Sequence, residues 1–268
     1  MSTSSLKYTS KLANQRVLIF GGSSGLGFAV AEAALEYGAH IILSSSNQSK
    51  LDIAVNSLKA TYPSQTATQT VITHVCDLSD VANLDTNLES LFKAATANGT
   101  HKLNHIISTA GGPVNTPSPN DIHAHGVYSA MNLRLVAPAV MAKFIPKYME
   151  PSPLSSLTLT GGVIGRKPSP GWSVITAGTS GIEGLARRLA LELAPVRVNT
   201  VAPGAVNTEL WDSFPKEIVG PALQWFKDQS TTGTIGGPED LAESYIYLMR
   251  DHFITGSVIE SNGGLLLK

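Results

Sequence analysis

The sequence contains one cysteine, Cys76, among its 268 residues. A single cysteine excludes an internal disulfide and fits a reducing compartment. No apolar run is long enough to cross a bilayer, and the polar residues 1–15 lack the apolar core of a secretory signal peptide. These absences predict a cytoplasmic protein that does not enter a membrane.

A strong charge of one sign is absent as well. The 19 Lys and Arg residues nearly balance the 20 Asp and Glu residues, which leaves a net charge of −1. This balance provides no electrostatic reason to bind nucleic acid or an anionic membrane surface. His123 and His125 are close in sequence, but no cysteine or acid cluster accompanies them as metal ligands. We therefore expect neither nucleic acid, a membrane nor a metal ion as a partner.

Glycine, by contrast, is concentrated in one turn near the N-terminus. The apolar run Val17–Phe20 predicts a buried strand, segment 21–27 is a turn of small residues, and helical spacing continues to Gly38. A second apolar run, His40–Leu43, completes a strand–turn–helix–strand unit. Glycines let such a turn approach a pyrophosphate closely, and the helix start offers N–H groups to the phosphates. The unit predicts dinucleotide binding, and an ordinary loop is the alternative.

The glycines are spaced as Gly21-x-x-x-Gly25-x-Gly27. This spacing differs from G-x-G-x-x-G and is the form used by short-chain dehydrogenases/reductases, a superfamily that the chain resembles along nearly its whole length. The resemblance implies an α/β fold, a single-domain doubly wound Rossmann fold with a mostly parallel seven-stranded sheet. It also implies a loose tail at 1–12, a domain at 13–268 and a substrate lid at about 209–234.

Apolar runs later in the chain predict the rest of the sheet. One continuous helix is expected over Tyr128–Tyr148. The aromatic-rich lid has an alternative interpretation as a contact between subunits, because aromatic residues also mark interfaces. The remaining strands are predicted at Val71–Val75, Leu103–Ile107, Ser156–Leu159, Arg197–Val201 and Gly256–Ile259.

The residues after the second strand select the cofactor. NAD-binding folds usually place Asp or Glu there to hold the ribose hydroxyls, whereas this sequence has Ser45, Ser46 and Asn47. Because no acid repels a 2′-phosphate and hydroxyl and amide groups can donate to it, we expect NADP(H) as the cofactor. These residues can also cap the helix that is expected to begin near Ser49.

The resemblance implies further cofactor contacts at the ends of the other strands. Asp77 and Leu78 would contact the adenine, while Asp77 or Ser79 as a helix cap is the alternative. In relatives, the backbone at the position of Val206 and the hydroxyl at that of Thr208 hold the nicotinamide carboxamide. The residues implied in cofactor binding are Gly21, Ser23, Ser24, Gly25, Leu26, Gly27, Ser45, Ser46, Asn47, Asp77, Leu78, Thr109, Ala110, Gly111, Arg134, Pro203, Gly204, Val206 and Thr208.

The residues that perform the chemistry in relatives are missing. Segment 184–199 matches the family closely and anchors the comparison. Counting back from it places Ile175 and Thr179 at the positions of the catalytic Tyr and Lys, and Gly162 at that of the catalytic Ser. In relatives the Tyr is the general acid–base, and the Lys lowers its pKa and binds the ribose. Neither Ile175 nor Thr179 can supply those functions.

Three other residues are therefore the catalytic candidates. Asn132 matches the family's catalytic asparagine, which in relatives supports a proton-relay water and a helix kink. Arg134 is a lone cation among apolar residues and needs a partner if buried, either Glu183 or Glu192, or else the cofactor or substrate. Trp172 can stack on a planar ring, and the neighbouring Arg166 or Lys167 could supply charge.

The sequence also resembles a divergent, fungal-type branch of the superfamily that lacks Ser-Tyr-Lys and includes a bifunctional reductase/Diels–Alderase of alkaloid pathways. Three hypotheses follow for the function. The first is an NADPH-dependent reductase of secondary metabolism whose small-molecule substrate needs no protonation, such as an iminium ion. The second is a cofactor-bound cyclase or isomerase, and the third is a non-catalytic NADP-binding regulator.

The family commonly forms dimers or tetramers, so a homodimer or homotetramer is expected. The helices implied in pairing span Tyr128–Tyr148 and Ile175–Ala194. The second of these helices contains Gly178, Gly181 and Gly184, one glycine every three residues. Each glycine costs about 1 kcal/mol in helix propensity. We interpret this repeat as a requirement for close packing between helices. A flexible pocket wall is the alternative.

Overall fold

The short apolar runs form the strands of one parallel sheet. The computed structural model describes residues 6–112, 119–169 and 171–268. Within them the sheet has seven strands in the order β3-β2-β1-β4-β5-β6-β7, and every adjacent pair is parallel. The strands are β1 (Arg16–Phe20), β2 (His40–Ser45), β3 (Val71–Val75), β4 (His105–Ser108), β5 (Ser156–Thr160), β6 (Arg197–Pro203) and β7 (Val258–Ser261).

Helices cover both faces of the sheet. One buried cluster joins the sheet to α4, α6, α7 and α8, and a second joins it to α1, α2 and α10. This double cover explains why the central strands are apolar throughout, and it confirms the doubly wound fold. The α-helices are α1 (Gly25–Glu36), α2 (Gln48–Thr61), α3 (Pro63–Thr66), α4 (Leu84–Ala95), α5 (Ala124–Met131), α6 (Ala137–Ala142), α7 (Ile145–Tyr148), α8 (Ser173–Glu192), α9 (Lys216–Gln229) and α10 (Pro238–Arg250). No helix in these ranges is both long and apolar enough to span a bilayer.

The predicted continuous helix over Tyr128–Tyr148 is wrong. A π-helical segment, Asn132–Val136, separates α5 from α6. The Asn132 side-chain amide donates a 2.8 Å hydrogen bond to the backbone oxygen of Leu78, and Pro138 cannot donate to the preceding turn. Such π-helical turns occur frequently at functional sites.

Two strands begin two residues later than expected. The fourth strand begins at His105 because Leu103 instead forms an isolated bridge with Met149. The last strand begins at Val258, two residues after Gly256, whose φ of +67° is left-handed. Extended strand geometry requires a negative φ, so Gly256 ends the preceding turn rather than starting the strand.

The expected loose tail is partly packed. Leu12 is buried in the cluster that contains α1 and α10. Lys11 Nζ donates to the backbone oxygen of Arg250, and Arg250 Nη2 donates to that of Tyr8, each at 2.8 Å. The packed part of the chain therefore begins before residue 13; residues 1–5 lie outside the described ranges.

The strand order locates the site. The chain moves outward from β1 to β3 and then returns to β4 on the other side of β1. In open α/β sheets, ligands bind at the carboxyl ends of the strands beside such a reversal. The glycine-rich turn after β1 and segment 109–112 after β4 meet there.

Candidate active site

The glycine-rich turn packs too closely for any larger residue. Gly21 has a φ of +78°, and a Cβ on it would lie 2.8 Å from Ala110 N and 2.9 Å from Thr109 Oγ1. A Cβ on Gly27 would overlap the backbone oxygen of Gly21. The glycines therefore bring the turns after β1 and β4 and the start of α1 together in one cradle.

The start of α1 has no side-chain cap among the described residues. Ser24, the N-cap residue, makes no capping hydrogen bond, and the first turn carries no acidic residue. The first N–H groups of a helix lack partners within the helix and carry a partial positive charge. This end of α1 therefore suits an anionic group such as a diphosphate.

Two serine hydroxyls meet at the end of β2. Ser23 Oγ donates to Ser45 Oγ at 3.0 Å, while Ser46 is exposed. Asn47 Oδ1 accepts from Lys50 N at 3.0 Å and so caps α2, as one interpretation of these residues predicted. Capping uses only the Asn47 oxygen, so its amide N–H groups and the serines can still donate to a ligand.

The segment after β3 is fixed by its own hydrogen bonds. Asp77 Oδ1 accepts from Ser79 N at 2.8 Å and from Ser79 Oγ at 2.6 Å. Neither residue caps α4, whose N-cap is Asn83, so that alternative is wrong. Leu78 is buried, and its backbone oxygen accepts from Asn132.

A cavity of about 570 Å³ lies at the carboxyl ends of the central strands. Its walls come from the turns after β4, β5 and β6, from α8 and from the lid, and they are mostly apolar. Other members of the predicted set, including Asp77 and Leu78, lie outside its lining. The predicted cofactor residues that line it are Leu26, Thr109, Ala110, Gly111, Arg134, Pro203, Gly204, Val206 and Thr208.

Gly162, Ile175 and Thr179, the residues predicted to stand in place of the family's catalytic residues, all line this cavity. Thr179 Cγ2 lies 3.6 Å from where a Cβ on Gly162 would be. Thr179 Oγ1 donates to backbone oxygens of α8, those of Ile175 at 3.1 Å and Thr176 at 3.0 Å, so its proton is used within the helix. This wall presents methyl and methylene groups and no proton donor.

Arg134 is the one charged residue among the described residues that line the cavity. The expected salt bridge is wrong, because Glu183 pairs with Arg166 and Arg187, and Glu192 pairs with Arg188. The only described hydrogen bond of the Arg134 guanidinium is a long one, 3.5 Å from Nη2 to Gly112 O. Burial lowers the pKa of Arg134, but an arginine stays charged at neutral pH. Its donors can therefore serve a ligand.

Trp172 lines the cavity at the start of α8. The charged residues before it do not, which corrects the expectation that they supply charge to a ligand. Arg166 pairs with Glu183 and Glu260, and Lys167 Nζ donates to the backbone oxygens of Leu265 and Lys268.

These features can be compared with known proteins. The sequence model of a family described as "SDR-like rossmann domain" matches residues 8–268. The chain belongs to the short-chain dehydrogenase/reductase (SDR) family. It is 42% identical over 257 residues to the short-chain dehydrogenase/reductase malC of Malbranchea aurantiaca, with 96% of each chain covered. It is 39% identical over 264 residues to the short-chain dehydrogenase/reductase fsr5 of Gibberella fujikuroi, covering 97% of this chain and 98% of that one.

A solved structure supports the same relationship. The structure of the MalC Reductase/Diels-Alderase from Malbranchea aurantiaca has a TM-score of 0.91 and 41% sequence identity to this SDR. The match covers 97% of this chain and 100% of that chain. The similarity therefore extends over the cradle, the cavity and the lid.

Two of the tyrosines that the structure describes, Tyr128 and Tyr245, stay outside the cavity lining. Tyr128 is 75% exposed and does not line it. Tyr245 is buried, which raises its pKa, and its hydroxyl lies 2.8 Å from Thr160 Oγ1. Thr160 Oγ1 in turn donates to the backbone oxygen of Ser108 at 2.7 Å. This chain of hydrogen bonds ends on a backbone carbonyl rather than on a ligand.

Asn132 does not line the cavity. It is buried behind the wall, and its Oδ1 has no hydrogen-bond partner among the described residues. Its amide connects the π-helical segment to the turn after β3. The helix break at Asn132 coincides with the kink that the family resemblance implied for this position, and a catalytic role for Asn132 stays a prediction.

Three polar residues of the cavity lining, Ser108, Thr160 and Ser169, were missing from the predicted set. Ser108 lines the cavity, and its hydroxyl has no hydrogen-bond partner among the described residues. The signal was its place at the end of β4, where the family usually has an asparagine. His123 and His125 do not line the cavity, and the described residues contain no group of three metal-ligating side chains.

The lid begins with a 3₁₀ turn, Glu209–Ser213, and continues as α9. We name Trp211, Phe214, Trp225 and Phe226 the lid aromatic cluster; all four line the cavity. Trp211 Nε1 donates to the backbone oxygen of Val206 at 2.8 Å. Because α9 has no fully buried side chain, this cluster provides much of the contact between the lid and the cavity.

The glycine repeat in α8 has an explanation within one chain. A Cβ on Gly178 would lie 3.5 Å from Met131 Sδ, and one on Gly181 would lie 3.3 Å from Leu135 Cδ2. Gly184 has no described atom within 4 Å of such a Cβ. Two of the glycines therefore allow α8 to pack on α5 and the π-helical segment, and the homo-oligomer stays a prediction.

Proposed function

We propose that this SDR is an NADPH-dependent reductase that acts on an iminium substrate, including an imine that takes up its proton from water before hydride transfer. The observation that supports this most strongly is the wall formed by Gly162, Ile175 and Thr179. It has no proton donor, while the dinucleotide cradle across the cavity keeps its close glycine packing. These two features together favour a hydride transfer that needs no proton from this wall.

The residues present fit the cofactor. The uncapped start of α1 suits a diphosphate, and the hydroxyls of Ser23 and Ser45, 3.0 Å apart, suit a 2′-phosphate. Thr109, Ala110 and the turn from Pro203 to Thr208 line the side of the cavity where a nicotinamide riboside would lie. When bound, NADPH supplies a hydride to the carbon of the substrate's C=N⁺ group, which leaves a neutral amine and NADP⁺.

The wall explains why an iminium is preferred to a ketone. Hydride addition to a ketone builds negative charge on oxygen, and this charge must be protonated or stabilised in the transition state. Addition to an iminium removes a positive charge and needs no proton. Ile175 and the methyl group of Thr179 can then exclude water without lowering the rate.

Orientation is what the protein must supply instead. Arg134 and Ser108 place donors at the rim of the cavity for an acceptor on the substrate, and Trp172 offers an aromatic surface. Correct positioning of reacting groups contributes about 7–11 kcal/mol to a bimolecular step. This effect is large enough to sustain hydride transfer without general acid catalysis.

A cycloaddition is the second candidate function. The cavity is large and mostly apolar, and such a surface can hold a reactive product in a folded conformation. The name of the Malbranchea aurantiaca protein, reductase/Diels-Alderase, joins both activities. The same cavity would serve reduction first and ring closure afterwards.

The test is a paired assay with NADPH on a cyclic iminium and on the matching ketone. We expect turnover of the iminium and little of the ketone. Equal turnover of both would show that another residue replaces the tyrosine. Binding of NADPH without turnover of any imine would favour a non-catalytic regulator, and mass spectrometry of small molecules bound to the purified protein would indicate the ligand.

A further inference from the structure

A cationic substrate has no carboxylate to meet it in this cavity. Among the described lining residues the only charged side chain is Arg134, which has the same sign as an iminium. Removing a cation from water is costly unless another interaction compensates. Recognition of a cation must therefore come from uncharged groups.

The cavity is rich in aromatic rings. The protein has three tryptophans, and all of them, Trp172, Trp211 and Trp225, line it. Within the lid aromatic cluster, the Trp211 ring centroid lies 5.5 Å from the Phe214 ring centroid and 6.0 Å from the Phe226 ring centroid. The rings of Trp225 and Phe226 are 5.0 Å apart in an edge-to-face arrangement. Aromatic faces attract cations through their quadrupole, tryptophan most strongly.

Trp211 is held in place before any ligand arrives. Its indole N–H donates to the backbone oxygen of Val206 at 2.8 Å, and two phenylalanine rings pack against it. A side chain fixed in this way loses little conformational entropy when a ligand binds. The same hydrogen bond joins the lid to the turn after β6, beside the proposed nicotinamide position.

We propose that the lid aromatic cluster, centred on Trp211, is a cation-binding site that recognises the substrate's positive nitrogen through cation–π contacts. The ligand class is an organic cation, an iminium or a quaternary ammonium, attached to an apolar skeleton. This inference rests on the proposed function for the role of the cation in the reaction. The site itself is testable with cations that cannot be reduced.

An acid next to the lining residues Thr208 and Leu210 provides the competing explanation. Glu209 begins the lid, and its Oε2 lies 3.3 Å from where a Cβ on Gly25 would be. It is exposed beside the glycine-rich turn and does not line the cavity. An exposed carboxylate attracts cations weakly and is screened by salt, so it should contribute little to selectivity within the cavity.

The experiment compares two probes of the same shape. They are meta-hydroxyphenyltrimethylammonium and its neutral isostere meta-tert-butylphenol, each titrated calorimetrically into the full-length protein with and without NADPH. We expect the cation to bind about five- to tenfold more tightly. Because neither probe accepts a hydride and one arm omits the cofactor, the result does not depend on reductase activity.

Variants then show which residue causes the preference for the cationic probe. Trp211→Leu should reduce the ratio of the two affinities to below about twofold, whereas Trp211→Phe, which keeps an aromatic face, should retain part of it. Trp172→Leu is the matched control, because it removes a cavity tryptophan outside the lid and should weaken both probes alike. Circular dichroism and thermal unfolding establish that each variant is folded.

Two results would overturn the site. The first is equal affinity of the wild-type protein for both probes. The second is a preference that survives Trp211→Leu and disappears in Glu209→Gln or at high salt, which would assign the attraction to the exposed carboxylate. Failure of iminium reduction with an intact cation preference would instead reject the proposed reaction and leave the site standing.

Discussion

The two halves of the site differ in what they keep from the SDR family. The cofactor half retains the glycine-rich turn, the uncapped start of α1 and the Ala110–Gly111 turn, all held by close backbone contacts. In the substrate half, Gly162, Ile175 and Thr179 are predicted to stand where the family has a serine, a tyrosine and a lysine. Cofactor binding depends on backbone shape, whereas proton transfer depends on individual side chains. A site can therefore lose one capacity while keeping the other.

The largest effect is expected from a substitution that disrupts the cofactor half of the site. Gly21→Ala should destabilise the fold by about 2–4 kcal/mol, because the new Cβ meets Ala110 N and the left-handed backbone is strained. NADPH binding should be lost in the fraction that still folds. Urea unfolding and a cofactor titration measure both effects.

Gly126→Ala is the control for that change. Gly126 lies in α5 with no described atom within 4 Å of the new Cβ, so the substitution should be neutral or stabilising by up to about 1 kcal/mol. Normal stability and normal NADPH binding of the Gly21→Ala variant would contradict the claim that close glycine packing forms a cofactor-binding cradle.

The second prediction concerns a variant that puts the family's serine, tyrosine and lysine back into the substrate half. The triple variant Gly162→Ser, Ile175→Tyr, Thr179→Lys should raise ketone reduction by about 100-fold or more, because a general acid–base contributes about 10²–10⁴ in rate. Steady-state rates with NADPH and the paired ketone and iminium measure the change. A matched triple variant with Phe at position 175 keeps the ring without the hydroxyl and should show no gain. A gain in that control would mean that ring volume, rather than proton transfer, limits the rate.

The third prediction concerns the choice of cofactor. Ser45→Asp should weaken NADPH binding about tenfold and leave NADH nearly unchanged, because the new carboxylate repels a 2′-phosphate near Ser23 and Ser45. Calorimetric titration of both cofactors is the measurement. Ser57→Asp, which adds the same charge to an exposed position of α2, should change neither affinity. Equal or tighter binding of NADH by the wild-type protein would reject the NADP(H) assignment.

The smallest expected effect is on pH dependence. With an N-alkylated iminium, whose charge is permanent, kcat/KM should vary by less than about twofold between about pH 6 and 9. The reason is that Arg134 is the only ionisable side chain among the described residues of the cavity lining, and it stays protonated throughout this range. A bell-shaped profile would instead reveal a titrating acid or base and break the contrast between the two halves.

The elements of this fold could be predicted because their signals are local. The strand–turn–helix–strand unit at β1, α1 and β2 follows from apolar periodicity and from glycine spacing, both of which involve neighbouring residues. The boundaries of β3 matched the expectation at both ends. The family's motif spacing then located Gly162, Ile175 and Thr179, which do line one cavity.

The errors lie where a distant residue decides the outcome. The break at Asn132 depends on the backbone of Leu78, which is 54 positions away in the chain. The partners of Arg166 come from α8 and β7, and no spacing rule identifies them. The sequence left Arg134 open between an acidic partner and a bound ligand, and the structure places it in the cavity lining, where the described residues offer it no acidic partner.

The sequence by itself indicated a doubly wound SDR with a glycine-rich turn, and it predicts that Ser-Tyr-Lys is missing. Those properties reside in residue identities and short-range spacing. Only the tertiary structure decided that all three tryptophans line one cavity, whose described lining has a single charged residue, and that the Trp211 indole donates to the backbone of Val206. The physical reason is that burial, hydrogen-bond pairing and local charge balance arise from segments far apart in the chain, which the sheet brings together at the carboxyl ends of its strands.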